Sequence, residues 1–394
     1  MATGIGGALG SEKDLAPLRL PDGITEKYVD CRKSCDLKWH VLEAGDRGKP
    51  LVLFCHGFPE LAYSWRKVMP RIAAAGYYCV AMDQRGYGRT TGWAGPPFFE
   101  ADSHDFVFTN LIRDLVCLVY ALGYPEVFSI VGHDFGAVSS AMAALMRPDM
   151  FKSTVQMSHP FHGPPTPRHV YEQGKAMLDL QDDLEKLHPP RKHYKYYNAS
   201  PPAASHWDCP GQGMEKFLRG YFHLKSADWH KNNPKPLKKW TARALADMPE
   251  YYIMQKRHSM PESVEYNMLG EDYAKTERWL PQEDLQVYRD EWQRTGFHGA
   301  LSWYRAQIAT TPKSARDMLL FSGRKIEVPI TFISGKQDWG NFQQPGALES
   351  YEDPDVIKPG CYRAMTLIEG AGHWVQQEQP DAVVDALLRF FDTL

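Results

Sequence analysis

The chain reads as an α/β protein: a core with a mostly parallel central sheet, interrupted by a long helical insertion. Three observations predict this. Short apolar runs, LVLFCHGFP (51–59), YYCVAMDQRGYG (77–88), VFSIVGHDFGA (127–137) and STVQMSHPF (153–161), lack polar alternation, as strands buried on both faces of a parallel sheet do. Helical patterns at 64–75, 106–122 and 137–147 separate them. The pattern stops after Pro160 and resumes at VPITFISGKQDW (328–339) and YRAMTLIEGAGHW (362–374), closing with the amphipathic DAVVDALLRFFDTL.

Taken in order, residues 1–24 are Gly-rich and polar, and read as a flexible tail. No strand precedes Gly4, Gly6 and Gly10, so they are not a dinucleotide fingerprint. From Tyr28, YVDCRKSCDLKWHVLEAG alternates as paired strands with a polar turn. Residues 161–310 are rich in Pro, His, Tyr and Trp, with helix-like pieces and no expected strands. The expected division is tail 1–24, core 25–160, helical lid 161–310 and core 311–394.

Composition excludes several functions. Within 394 residues, no apolar stretch reaches the ~20 residues that a membrane span needs. A net charge of −3 makes no electrostatic case for nucleic acid or anionic lipid. The seven cysteines form no CxxC, and His159 with His162 is too sparse for zinc, so neither metal nor cofactor is implied. MATGIGGALGSEKDL joins no basic region to an apolar one, and a cytoplasmic setting is expected.

In open parallel sheets, chemistry sits beyond the carboxyl ends of the strands. There, Gly132-His133-Asp134-Phe135-Gly136 lies between a strand and a helix, and its small flanking residues permit a nucleophile elbow with Asp134 at the apex. A mere helix N-cap is the plainer alternative for Asp134. His373, in GAGHW after the last strand, is the candidate base, and Asp338 in SGKQDWG its orienting acid. The order nucleophile, acid, histidine is that of the α/β-hydrolase arrangement.

A carboxylate attacking an acyl carbon gains little, since it makes an anhydride. Attack on a saturated carbon bearing a leaving group makes an ester that activated water can hydrolyse. Backbone N–H groups of Phe58 and Phe135 are the candidate oxyanion donors. Epoxide opening needs an acid for the departing oxygen, whereas a halide needs only N–H donors, which the Phe135 side chain lacks. Candidate acids in the insertion are Tyr304 and the cluster Tyr194, Tyr196 and Tyr197.

At these residues the chain resembles the soluble-type epoxide hydrolases of the α/β-hydrolase superfamily. HGFPE with YSWR (56–66), AMDQRGYGRT, VGHDFGA, GFHGALSWYR and GAGHWVQQEQP carry the resemblance across residues 51 to 380. It implies the fold, a two-step ester mechanism on Asp134, and a cis Phe58-Pro59 peptide. It also implies ring-opening tyrosines at Tyr304 and at Tyr194, with Tyr197 the next candidate. The expected substrate is a small lipophilic epoxide, because six lid tryptophans (Trp207, Trp229, Trp240, Trp279, Trp292, Trp303) can supply an apolar lining. A haloalkane or haloacid dehalogenase, an epoxide-opening cyclase and a non-catalytic receptor stay open as alternatives.

Overall fold

The computed structural model describes residues 15–93, 103–164, 166, 179–308 and 316–394. Its main sheet has eight strands in the order β1-β2-β4-β3-β5-β6-β9-β10. These are β1 Ile24–Asp30, β2 Lys38–Ala44, β3 Leu51–Cys55, β4 Tyr78–Met82, β5 Ser129–His133, β6 Thr154–Met157, β9 Ile330–Gly335 and β10 Tyr362–Ile368. β1 and β2 run antiparallel to each other and β2 antiparallel to β4; every other pairing is parallel. All six apolar runs therefore became neighbouring strands. Val52, Leu53, Phe54, Val131 and Val155 are fully buried, which is why those runs carry no polar alternation.

The helices differ in detail. The pattern at 64–75 divides into a 3₁₀ turn, Ala62–Trp65, and a helix, Met69–Ala74. Pro70 explains the division: without an N–H it is tolerated in a helix's first turn and not in its interior. The other two expected helices are Phe108–Ala121 and Phe135–Met146.

Between β6 and β9 the described chain carries helices including Tyr194–Asn198, Met214–Lys225, Gln282–Thr295 and His298–Ile308. It also contains strands, contrary to expectation: β7 Arg191–His193 and β8 Ile253–Gln255 pair antiparallel. Three residues per strand are too few to leave a period of two in the sequence. Five of the six tryptophans are buried in one cluster with Phe58, Phe135 and Trp374, and Trp240 packs against it. Trp292 donates to the Pro59 carbonyl at 2.9 Å and Trp303 to that of Arg85 at 2.8 Å, so these indoles fasten insertion helices to core loops.

Residues 1–14 of the expected tail lie outside the described residues, as do 165, 167–178 and 309–310 of the expected lid. Leu18 and Leu20 are not free: both pack against the core, and the Leu18 N–H donates to Glu26 Oε1 at 3.0 Å. No described helix is long and apolar enough to cross a membrane, and no described His, Cys, Asp and Glu group could hold a metal ion.

Candidate active site

The elbow is set by close backbone approach. Asp134 sits at φ 54°, ψ −115°, a conformation L-residues rarely adopt, between β5 and the helix Phe135–Met146. A Cβ on Gly132 would lie 1.9 Å from the Gly136 carbonyl oxygen, and one on Gly136 would lie 2.1 Å from that of Cys55. Both positions must be glycine. Gly57 is constrained in the same way, because its Cβ would stand 2.3 Å from Asp134 Cβ. This crowding presses the Asp134 apex against the loop after β3. There the Phe58 N–H donates to Asp134 Oδ1 at 3.1 Å, and the Phe58-Pro59 peptide is cis. Phe135 is the first helical residue after Asp134, where an amide has no intrahelical acceptor.

Asp338 and His373 meet Asp134 from the ends of β9 and β10, which lie beyond β6 in the sheet. Glycine again allows it: a Cβ on Gly335 would lie 2.0 Å from the Gly372 carbonyl oxygen. His373 Nδ1 is 3.1 and 3.2 Å from the two Asp338 oxygens, and its Nε2 is 3.5 Å from Asp134 Oδ2. Asp338 also accepts the Gly340 N–H at 2.6 Å. All three side chains are buried, Asp134 being the most accessible at 9%.

Burial works to raise both aspartates, but His373 and Lys225 overcome it and hold each below the usual carboxylate range; His133 adds to the effect at Asp134 and the Gly340 N–H at Asp338. Burial and Lys225 push the His373 imidazole down, and the two carboxylates push harder, so it stands above its ordinary value. The resting arrangement favours two carboxylates with a cationic imidazole between them.

Across the cleft, the Tyr304 ring meets Phe135 edge-on at 4.7 Å and Phe58 at 5.3 Å, directly beside the elbow. Its helix, His298–Ile308, docks glycine on glycine: a Cβ on Gly299 would sit 2.5 Å from the Gly86 carbonyl oxygen. Tyr194 lies edge-on to Tyr304 at 5.9 Å, and its hydroxyl donates to Gln343 Oε1 at 3.2 Å. Tyr197 is elsewhere, with its hydroxyl 3.0 Å from His206 Nδ1 and its ring stacked on that imidazole. Burial, followed by neighbouring tyrosines and Asp134, pushes the Tyr304 hydroxyl well above its ordinary value; burial and Asp134 do the same at Tyr194.

The chain as a whole has counterparts among known proteins. The alpha/beta hydrolase fold family matches residues 50–185. Epoxide hydrolase A of Mycobacterium tuberculosis is 34% identical over 380 residues, covering 94% of this chain and 98% of that protein. The chain belongs to the epoxide hydrolases. The epoxide hydrolase of Caballeronia sordidicola is 30% identical, covering 90% of this chain and 91% of its own. Among solved structures, an epoxide hydrolase from an endophytic Streptomyces superposes with a TM-score of 0.74 at 28% identity, over 94% of this chain and 96% of that one. Potato epoxide hydrolase I does so at 0.69 and 27%, over 94% and 100%.

This epoxide hydrolase also contains polar groups that sequence reasoning passed over. Glu60 Oε2 is 2.8 Å from His133 Nδ1, and the Glu60 carboxylate accepts the amides of Gln376 and Gln377. His133 Nε2 in turn donates to the His373 carbonyl at 2.7 Å. Glu378 gathers the N–H groups of Ala227, Gly372 and Trp374 at 2.8, 2.9 and 3.0 Å, bracketing His373. Burial pushes its carboxyl up to about 7 against those three donors. Lys225 contributes its carbonyl to the His373 N–H at 2.8 Å. Glu378, five residues beyond His373 in a run of glutamines, offered a faint sequence signal; Lys225 offered none.

Proposed function

We propose that the chain hydrolyses a lipophilic epoxide to a vicinal diol through an alkyl ester on Asp134. Asp134 Oδ1 already accepts the Phe58 N–H, so Oδ2 forms the bond to an epoxide carbon as the C–O bond breaks. Tyr304 and Tyr194 donate a proton to the departing oxygen, and the tyrosinate left behind takes the proton of the resting His373 imidazolium, which becomes neutral. In the second step water attacks the Asp134 carboxyl carbon and His373 Nε2 takes its proton, with Asp338 holding Nδ1. The tetrahedral oxyanion rests on the Phe58 and Phe135 amides. Its collapse breaks the bond from carboxyl carbon to alkyl oxygen, the imidazolium returns its proton to the leaving alkoxide, and the Asp134 carboxylic acid passes its own proton to His373, restoring the resting pair.

The observation that carries this reading is the pair of mutually packed tyrosines, Tyr304 and Tyr194, the first lying on Phe135 next to Asp134 and both near enough to feel the Asp134 charge. A departing oxygen needs such acids and a halide does not, while the phenyl ring at 135 gives a halide no N–H. The insertion 161–310 acts as the lid supplying both tyrosines, and its buried aromatic cluster favours apolar substrates. A cytoplasmic setting suits the seven cysteines, all of them free.

The test is intact-mass analysis of His373→Gln incubated with epoxides and alkyl halides. An adduct equal to the whole epoxide mass is expected. One short by hydrogen halide would convert the reading to a dehalogenase, and no adduct from any compound would leave a binder.

A further inference from the structure

Lys225 ends the helix Met214–Lys225 and is only 3% exposed. Its ammonium lies 5.0 Å from the centroid of the Tyr252 ring, 5.2 Å from Trp374, 5.3 Å from Tyr221 and 6.0 Å from Tyr251. A buried lysine ordinarily needs a carboxylate partner. Here four π faces fill that place among the described residues, and they attract the cation without neutralising it. The cage is joined to both halves of the site. Trp374 follows His373, with ring centroids 4.6 Å apart, and Tyr252 packs on Tyr194 at 5.0 Å. The Lys225 carbonyl holds the His373 N–H, which ties the two main chains together, while the rings of the cage, Trp374 among them, hold the ammonium.

We propose, on the ester mechanism above, that Lys225 is a positioning residue whose caged ammonium keeps His373 able to accept a proton once Asp134 is esterified. At rest, the Asp134 and Asp338 carboxylates face Lys225 and a protonated His373, and Lys195 adds a further ammonium that the Asp134 charge stabilises. Glu60 is taken up by His133 and two glutamine amides, and Tyr221, Tyr251 and Tyr252 are held neutral by burial. Glu378 accepts the N–H groups of Ala227, Gly372 and Trp374, and its carboxyl, pushed up to about 7 by burial, titrates in wild type and variants alike.

Esterification passes the Asp134 charge to the opened epoxide oxygen and, as the tyrosines protonate that oxygen, to a tyrosinate, which the His373 proton then neutralises. Asp338 and Lys225 then balance each other, and the neutral imidazole is the favoured form, ready to take a proton from water. Without the ammonium, the buried Asp338 carboxylate would be balanced only by imidazolium. That form has no lone pair on Nε2. The same electrostatics acts on the resting enzyme, where Lys225 lowers both aspartates and opposes the rise of His373.

The experiment follows ester decay by quenched intact mass after a single turnover with an epoxide, across pH, for wild type, Lys225→Met and Lys225→Arg. In Lys225→Met the acid limb of ester decay should move up by on the order of one pH unit. Decay at about pH 6 would then slow roughly tenfold, with rates converging near pH 9. Lys225→Arg should keep the wild-type limb, since guanidinium also sits on aromatic faces. A loss in Lys225→Met that is equal at every pH, or an unmoved limb, would overturn the proposal and leave Lys225 a packing residue. Should the methionine variant fail to fold, Lys225→Gln, with a polar tip and no charge, must show the same displacement. Failure of the ester mechanism itself looks different, because wild type would then form no ester.

Discussion

Replacing Asp338 with asparagine removes a charge and reverses one hydrogen bond without changing the shape of the site. In the native structure both carboxylate oxygens face His373 Nδ1, at 3.1 and 3.2 Å, so Nδ1 keeps its proton when Asp134 is esterified and the ring turns neutral, and Nε2 is then free to act. Oδ1 additionally accepts the Gly340 N–H at 2.6 Å, which requires the amide oxygen of asparagine to take that place. The amide NH₂ then occupies the Oδ2 position, 3.1 Å from Nδ1, with Ser334 Oγ 3.5 Å away as its alternative partner. Donor faces donor, and the ring relieves this by moving its proton to Nε2. That tautomer cannot take a proton from water. Wrong-tautomer substitutions of this kind cost about 10⁴-fold in triad enzymes, about 5.5 kcal/mol at 1.36 kcal/mol per decade. The amide oxygen stays 3.2 Å from Nδ1 and rescues part of this, so a loss of about 10²- to 10⁴-fold in ester hydrolysis is expected. Alkylation of Asp134 should continue, because neither Phe58 nor the tyrosines are touched. The assay is intact mass over time with an epoxide, where ester should accumulate to near stoichiometry in Asp338→Asn. Ester hydrolysed at the wild-type rate would show that another group orients His373, and failure to form ester would show that Asp338 acts before the histidine does.

Three further outcomes are expected. Tyr304→Phe and Tyr194→Phe should each slow alkylation in quench-flow, and the double variant should approach the roughly 10²- to 10⁴-fold that a general acid supplies, with ester decay much less affected; equal slowing of both steps would remove the tyrosines from the acid role. Alkylation should be nearly independent of pH from about 5 to 9: Asp134, held below the usual carboxylate range, stays ionised as pH falls, and the tyrosines, pushed up by burial, stay protonated as it rises. A limb inside that window would contradict those directions. Glu378→Gln should destabilise the fold by about 1–3 kcal/mol in urea unfolding, since its NH₂ must face one of the backbone N–H donors that the carboxylate accepts; unchanged stability would mean the three bonds contribute nothing net.

What was legible in the sequence is what close approach enforces locally. Asp134 stood out because Gly132 and Gly136 cannot be anything else at 1.9 and 2.1 Å from facing carbonyls, and their spacing is visible without the fold. Asp338 and His373 were legible for a related reason, since Gly335, Gly340 and Gly372 crowd the same junction. Tyr304 came through its resemblance to a motif; nothing in its own spacing distinguishes it from the other buried tyrosines. Tyr194 and Tyr197 occupy one five-residue helix, and only the rings they meet, Tyr304 for one and His206 for the other, tell them apart. Lys225 was illegible because its meaning lies in Tyr252, Trp374 and His373, the last two about 150 residues further on. The β7–β8 pair was illegible because three residues carry no period.

The insertion is joined to the histidine loop too intimately to be a detachable cover. His373 is held through its N–H by the Lys225 carbonyl and through its carbonyl by His133 and Ser158. Trp374 donates to the Phe222 carbonyl at 2.9 Å, and Glu378 draws the Ala227 N–H into the same knot. One side of the loop is thus anchored on core strands and the other on the C-terminal end of the helix Met214–Lys225. A helix ends in carbonyls with no intrahelical donor, and here the histidine and tryptophan N–H groups take two of them. Buried groups of this kind are costly to leave unpaired. Removing the insertion would therefore strip away Tyr194 and Tyr304, and would also release the base from its position 3.5 Å from Asp134. The apparent division into a catalytic core and a substrate-covering lid does not hold at the level of hydrogen bonds: the triad's histidine is held in place jointly by both.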